Sequence, residues 1–174
     1  KLKKIYFRFC QKLLGNSNII IFDSLVIKRY YKINYKIKNS FVAYYPSCFE
    51  GFAIINKKKK IDRFYILGRL LEENNVEIIV KSFIKNSINK KLFIIGPSNY
   101  FFQKKILPII KKCKNIIYIG PIYDTNKLFK FCSLCNFYIH GHSVGGTNPT
   151  LIEAINLKKK IIAFKSSFNK EILG

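Results

Sequence analysis

The run HGHSVGGTNPTLIEA, residues 140–154, holds both histidines of the chain, a Gly-Gly pair, an Asn-Pro step and a glutamate. Three chemistries are open to such a run: a metal site, a cradle for oxygen-rich or anionic groups, or an ornate turn. His140 and His142 alternate, so an extended backbone puts both side chains on one side. Two imidazoles without a neighbouring cysteine or carboxylate fall short of the ligand count a zinc ion needs. We expect no metal. One histidine should pack in a strand end and the other should donate to a ligand. Gly145 and Gly146 permit close approach to a ligand or a turn with positive φ. Asn148 before Pro149 is a helix-start signal. Amides at such a start, aided by the helix dipole, favour anions. Glu153 lies one turn into that helix. It is not part of a capping box, because Leu151 holds the third position after Asn148. Leu151, Ile152 and Ile155 are expected on the sheet side, leaving the Glu153 carboxylate near the loop, where it suits paired hydroxyls such as those of a ribose.

The elements that must position this loop are legible from residue 62 onward. Short apolar runs, RFYILG (63–68), KLFIIG (91–96), NIIYIG (115–120), NFYIH (136–140) and KIIAF (160–164), read as buried parallel strands. Between them NVEIIVKSFIKN spaces Val76, Ile79, Val80 and Phe83 as an apolar helix stripe. YFFQKKILPIIKK, DTNKLFKFCSLC and PTLIEAINLKK fill the other gaps as helices. Strand and helix alternating at this period predict an α/β fold, a parallel sheet with helices on both faces. The loops GRLLEENN, GPSNY, GPIYDT and GHSVGGTNP all follow strands, so they should gather at the carboxyl edge, where such sheets bind ligands.

Residues 1–48 repeat the pattern in shorter form: a helical KKIYFRFCQKLL, a strand NIIIF, a helix DSLVIKRYYKINYK with Asp23 or Ser24 as N-cap, and a strand FVAYYP. The lysine-rich segment that follows reads as a solvated linker. The chain therefore divides into an incomplete α/β piece at 1–48, a linker at 49–61 and an α/β domain at 62–174.

Composition narrows the classes. Hydrophobic residues at 49% and charged residues at 24% describe a chain that folds, not a disordered one. No apolar run is long enough for a membrane span, and the basic start lacks the apolar region of a secretory signal. Five cysteines without framework spacing point to a reduced, cytoplasmic setting. The Cys132–Cys135 pair has no second pair at zinc distance and is placed at a helix–strand junction. The net charge of +23 is nearly all lysine, the arginines being Arg8, Arg29, Arg63 and Arg69. Specific nucleic-acid readout leans on arginine, and no such motif is present. Coding bias with some attraction to an anionic membrane surface explains the charge better. A Lys start and the absence of Met give the expectation of a fragment.

Taken in order, GRL-x-E-x-N, IIG, IYIGPIYD and HGHSVGGTNPTLIEA resemble the nucleotide-sugar-binding half of GT-B glycosyltransferases of family 4, in the rhamnosyltransferase-like subgroup of bacterial surface-polysaccharide assembly. The resemblance covers 62–174, implies that this domain is truncated at its C-terminus, and makes residues 17–48 look like the end of that family's N-terminal domain. It implies a Rossmann-like donor domain and sugar transfer from a nucleoside diphosphate to a glycan or lipid-linked glycan hydroxyl. It implies no metal and no cofactor, the nucleotide sugar being a substrate.

The implied donor site begins at Gly68 and Arg69, the arginine meeting the diphosphate through paired hydrogen bonds. Gly120, Ile122 and Tyr123 would line the base. His142 or Ser143 would contact the leaving phosphate or the sugar and orient the reacting carbon. Gly145, Gly146, Thr147, Asn148 and Pro149 form the loop against the sugar and phosphates. Glu153 matches the second glutamate of the family's E-(seven residues)-E motif, which holds the ribose. Catalytic stabilisation of the leaving group falls to Arg69 and His142. Two positions depart from the wider family: Asn74 stands where a phosphate-binding lysine is usual, and Gly145 stands where the first glutamate is usual. A non-catalytic nucleotide-binding or interaction module, and a basic nucleic-acid-binding domain, are the rival readings.

Overall fold

The computed structural model describes residues 8–9, 13–14, 16–35, 37–49, 61–86 and 89–174. Two parallel sheets organise them. A small one pairs β1 (Ile20–Phe22) with β2 (Ser40–Val42) around helix α1 (Leu25–Tyr35). The larger one holds β3 (Arg63–Leu67), β4 (Lys91–Ile95), β5 (Ile116–Gly120), β6 (Phe137–His140) and β7 (Lys160–Ala163), in the order β5-β4-β3-β6-β7 and all parallel. The α/β architecture expected from the apolar runs is the one observed. Most of the expected helix KKIYFRFCQKLL and most of the linker at 49–61 lie outside the described residues.

Alternation along the strands builds two cores. Phe64, Ile66, Leu92 and Ile94 turn to one face, where α2 (Val76–Asn86) contributes Val76, Val80 and Phe83, and α3 (Phe102–Ile106 continued by Leu107–Ile110) contributes Phe102, Ile106 and Ile110. Tyr65, Ile95 and Tyr138 turn to the other, under α4 (Thr125–Ser133) and α5 (Pro149–Asn156). Each fully buried aliphatic or aromatic side chain contributes roughly 1.5–3 kcal/mol. Helix α3 has a feature that periodicity does not show. Residues Phe102–Ile106 wind as a π-helix before Leu107–Ile110 continue as α-helix. Pro108 cannot donate to the carbonyl one turn back, and the widened turn makes room for its ring.

Helix α5 corrects an expectation. Leu151 and Ala154 are buried, but Ile155 is 40% exposed and Ile152 only partly covered. The small Ala154 lets α5 sit close on the sheet, which rotates Ile155 outward and carries Glu153 to the buried side. Cys132 and Cys135 are buried at the α4–β6 junction, where Lys159 Nζ donates to the carbonyls of Ser133 and Cys135. Among the described residues no helix is long and apolar enough to cross a membrane.

Strand order fixes the place for a ligand. Chain connections leave β3 toward β4 over one face and β6 toward β7 over the other. A crevice opens between the carboxyl ends of two strands whose connections diverge in this way. Here those ends carry Gly68–Arg69 and Gly141–His142.

Candidate functional site

The loop after β3 is held by side-chain amides. Asn74 Nδ2 donates to the Arg69 carbonyl (2.6 Å), and Asn99 Nδ2 to that of Leu70 (3.0 Å). Asn74, buried to 5% exposure, is thus a brace under Arg69 and not a group facing a ligand. Asn75 Nδ2 donates to the Gly141 carbonyl (2.7 Å), and Ser143 Oγ to the Glu73 carbonyl (2.7 Å). These bonds lock the β3 loop against the β6 loop. Gly141 is required by the same approach: a Cβ there would stand 2.1 Å from the Asn74 carbonyl oxygen.

His140 is the histidine packed in the strand end, 1% exposed. Its Nδ1 lies 2.9 Å from Tyr138 Oη, which lies 2.7 Å from Thr150 Oγ1, and Thr150 donates to Asn148 Oδ1 (2.7 Å). Each hydroxyl has one proton. Since Thr150 gives its proton to Asn148, Tyr138 donates to Thr150, and His140 Nδ1–H donates to Tyr138. One chain of bonds therefore joins the cap of α5 to the β6 end. The His142 ring stacks on His140 at 4.5 Å and 15°. Its Nε2 edge comes to 3.6 Å from the point where Gly68 would carry a Cβ. Burial, with the Arg69 charge adding and Glu73 opposing, lowers His142 to about 4. Beside Arg69 it is a neutral imidazole at physiological pH.

Gly145 turns with φ +108°. The backbone amides of Val144 through Asn148 find no protein acceptor among the described residues. Those of α5 itself are taken: Thr150 N donates to Asn148 Oδ1 and Leu151 N to Asn148 O. The open donors therefore precede the helix instead of lying in its first turn, with the dipole of α5 behind them.

Glu153, 9% exposed, accepts from the Cys48 thiol at 2.7 Å. Burial raises the carboxyl and the thiol bond opposes this; Cys48 is pushed up to about 12 by burial and by Glu153. Gly120, Ile122 and Tyr123 follow the edge strand β5, two strand positions from β3, or roughly 10 Å at the usual spacing. Ile122 packs on the α4–α5 core, and Tyr123 is 85% exposed.

No family model and no curated protein matches this chain. Solved structures do. Sucrose-phosphate synthase from Thermosynechococcus elongatus is similar with a TM-score of 0.76 at 16% identity, over 88% of this chain and 42% of that one. HepE of Anabaena in complex with UDP is similar at 0.75 and 14%, over 96% and 50%. The fold is that of the GT-B glycosyltransferases. The C-terminal domain of LpcC, a glycosyl transferase group 1 family protein from Francisella tularensis, is similar at 0.57 and 23%, over 66% and 65%. The chain thus spans half or less of the first two proteins.

Within this GT-B fold the strand ends bring together Gly68, Arg69 and His142, Ser143 is tied to Glu73 of the β3 loop, and Gly145–Asn148 lead on into α5, which opens with Pro149 and carries Glu153. The Gly120–Tyr123 loop shares the edge at a distance. Several participants had no signal in the spacing. Asn75 and Asn99 read as ordinary loop residues and Tyr138 as core, while Asn74 stood out only as the replacement of a lysine and not as a brace. Asp23, Cys48 and Glu171 come from remote segments. The Thr147 hydroxyl donates to the Asp23 carbonyl, and Glu171 accepts from Ser24 Oγ and the amides of Leu25 and Val26.

Proposed function

We propose that this chain is the nucleotide-sugar-binding half of a glycosyltransferase. It would move a sugar, rhamnose in our reading, from a nucleoside diphosphate to a growing capsule or surface polysaccharide or a lipid-linked glycan. Residues 62–174 would form the donor domain, residues 1–48 the end of the acceptor-side domain and 49–61 the link between them. The observation that carries the reading is the run of unmatched amides from Val144 to Asn148, which leads from His142, lining the crevice with Arg69, into the helix that carries Glu153. Such a run suits a diphosphate, the guanidinium adds paired charged bonds, and a buried carboxylate one helical turn away suits a ribose diol. The UDP held by HepE is a ligand of that description.

In the proposed reaction, negative charge grows on the departing diphosphate. Arg69 and the loop amides are fixed donors for it and need no reorganisation as the bond breaks. We propose that they act without a metal ion and that no cofactor takes part. Neutral His142 can give one N–H bond to a phosphate or sugar oxygen without competing for the charge role of Arg69. The lysine-rich surface supports a cytoplasmic protein with peripheral contact to anionic lipid. Calorimetric titration of UDP, GDP and dTDP with their sugars tests the donor site. Arg69→Ala and Glu153→Ala are each expected to weaken binding by at least tenfold, on the usual cost of a charged hydrogen bond. Binding that both variants leave intact would remove the site assignment, and tight donor binding without sugar transfer to any glycan would leave a binding module.

A further inference from the structure

Asp23 lies between β1 of the small N-terminal sheet and α1, yet its carboxylate stands at the donor loop. Both carboxylate oxygens lie 2.6 Å from the position that a Cβ on Gly146 would take. The Thr147 hydroxyl, on the next residue, donates to the Asp23 carbonyl. The placement therefore rests on two contacts with consecutive loop residues.

Helix capping does not account for this carboxylate. Ser24 is the cap, since its hydroxyl accepts from Val26 N (3.1 Å), and Glu171 also reaches the start of α1. Among the described residues Asp23 has no ion pair and its carboxylate accepts no hydrogen bond. A half-buried carboxylate without partners carries an unmet demand for donors. The donor loop itself, residues 141–149, offers amides but no carboxylate.

Resting on the donor-site reading above, a nucleotide sugar laid along α5 toward its preceding loop has a fixed order. Its ribose meets Glu153, its diphosphate meets the open amides and Arg69, and its sugar then reaches Gly145 and Gly146. Hydroxyls are donors as well as acceptors, and a row of amides satisfies only their oxygens. We propose that Asp23 is a specificity-determining residue that accepts hydrogen bonds from hydroxyls of the transferred sugar. The glycine at 146 is what admits it: any side chain there would displace the carboxylate.

Paired titrations test this, comparing each of UDP, GDP and dTDP with its glucose, mannose or rhamnose conjugate. Wild type should bind at least one conjugate more tightly than its bare diphosphate. Asp23→Asn, which keeps the shape and the backbone bond to Thr147, should erase about tenfold of that gain and leave diphosphate affinity unchanged. Gly146→Ala should erase the gain as well. A sugar gain that survives in Asp23→Asn overturns the proposal and leaves the diphosphate site standing, as does the absence of any gain in wild type. Unchanged donor affinity with lost transfer would place Asp23 against the acceptor and also overturns it. No diphosphate binding by wild type removes the donor site and this proposal together.

Discussion

His140 and His142 lie ring on ring between the β6 end and Arg69, and both are held neutral. Burial lowers His140 to about 3, with His142 adding and Asn169 opposing; His142 lies at about 4. In the unfolded chain each would titrate near its ordinary value of about 6.5. Between about pH 6.5 and 4 the unfolded state therefore binds protons that the folded state refuses, and stability falls as pH falls through that window. Glu153, raised by burial, works in the opposite sense, because its folded form takes up a proton more readily. The melting temperature should drop from pH 7.5 to pH 5, and His142→Gln should melt with a shallower slope over that range. An identical slope in the variant would mean that His142 is already charged or free to charge in the fold. At this scale much of the candidate site was legible in the sequence. A Gly-Gly loop, a helix start and a glutamate are local signals, and so was one histidine in a strand end. The Asn148–Thr150–Tyr138–His140 chain was hidden because its hydroxyls meet only once α5 is docked on β6.

At the scale of elements, strands announced themselves because Ile, Phe and Tyr runs ending in glycine have few other solutions. The π-wound start of α3 did not, since Pro108 reads equally well as a helix break. The loop after β3 was legible as a loop, but not as a braced one. Its geometry depends on Gly141, whose absent side chain lets the two strand ends close. In Gly141→Ala the methyl carbon would sit 2.1 Å from the Asn74 oxygen and 2.8 Å from Ile79 Cδ1. The oxygen belongs to backbone held by the 3₁₀ turn Glu72–Asn74, so the strain cannot relax into a rotamer change. A cost of about 3 kcal/mol or more is expected, in the range of overpacking at rigid sites. Urea denaturation should show a lower midpoint at unchanged slope, and the brace on Arg69 should loosen with it. A midpoint shift equivalent to under about 1 kcal/mol would mean that the two loops separate easily.

Over the whole molecule the decisive contacts join segments that are more than a hundred residues apart, which is why no spacing foretold them. Ser47 and Cys48 touch α5, Asp23 touches the loop before α5, and Glu171 reaches the start of α1 from α6 (Ser167–Leu173). Glu171 is the most heavily bonded of these. It accepts from Ser24 Oγ (2.7 Å), Leu25 N (2.6 Å), Val26 N (3.1 Å) and Tyr44 Oη (2.8 Å). Burial pushes its carboxyl up, but these donors outweigh burial and hold it below the usual value. A negative group at the start of α1 also meets the positive end of the helix dipole. The same helix α6 carries Asn169, whose amide donates to the His142 carbonyl (3.0 Å). One element therefore ties the small sheet to the backbone of the loop after β6. Glu171→Ala should release the small sheet and leave the five-stranded core intact. Hydrogen exchange should then rise in β1, α1 and β2, with β3, β4 and β6 unchanged. Because Asp23 is carried on the released piece, any sugar-dependent gain in donor affinity should fall in the same variant, while affinity for the bare diphosphate holds. Exchange that stays protected in β1 and β2 would show that Cys48, Ser47 and Thr147 suffice to hold the two sheets together.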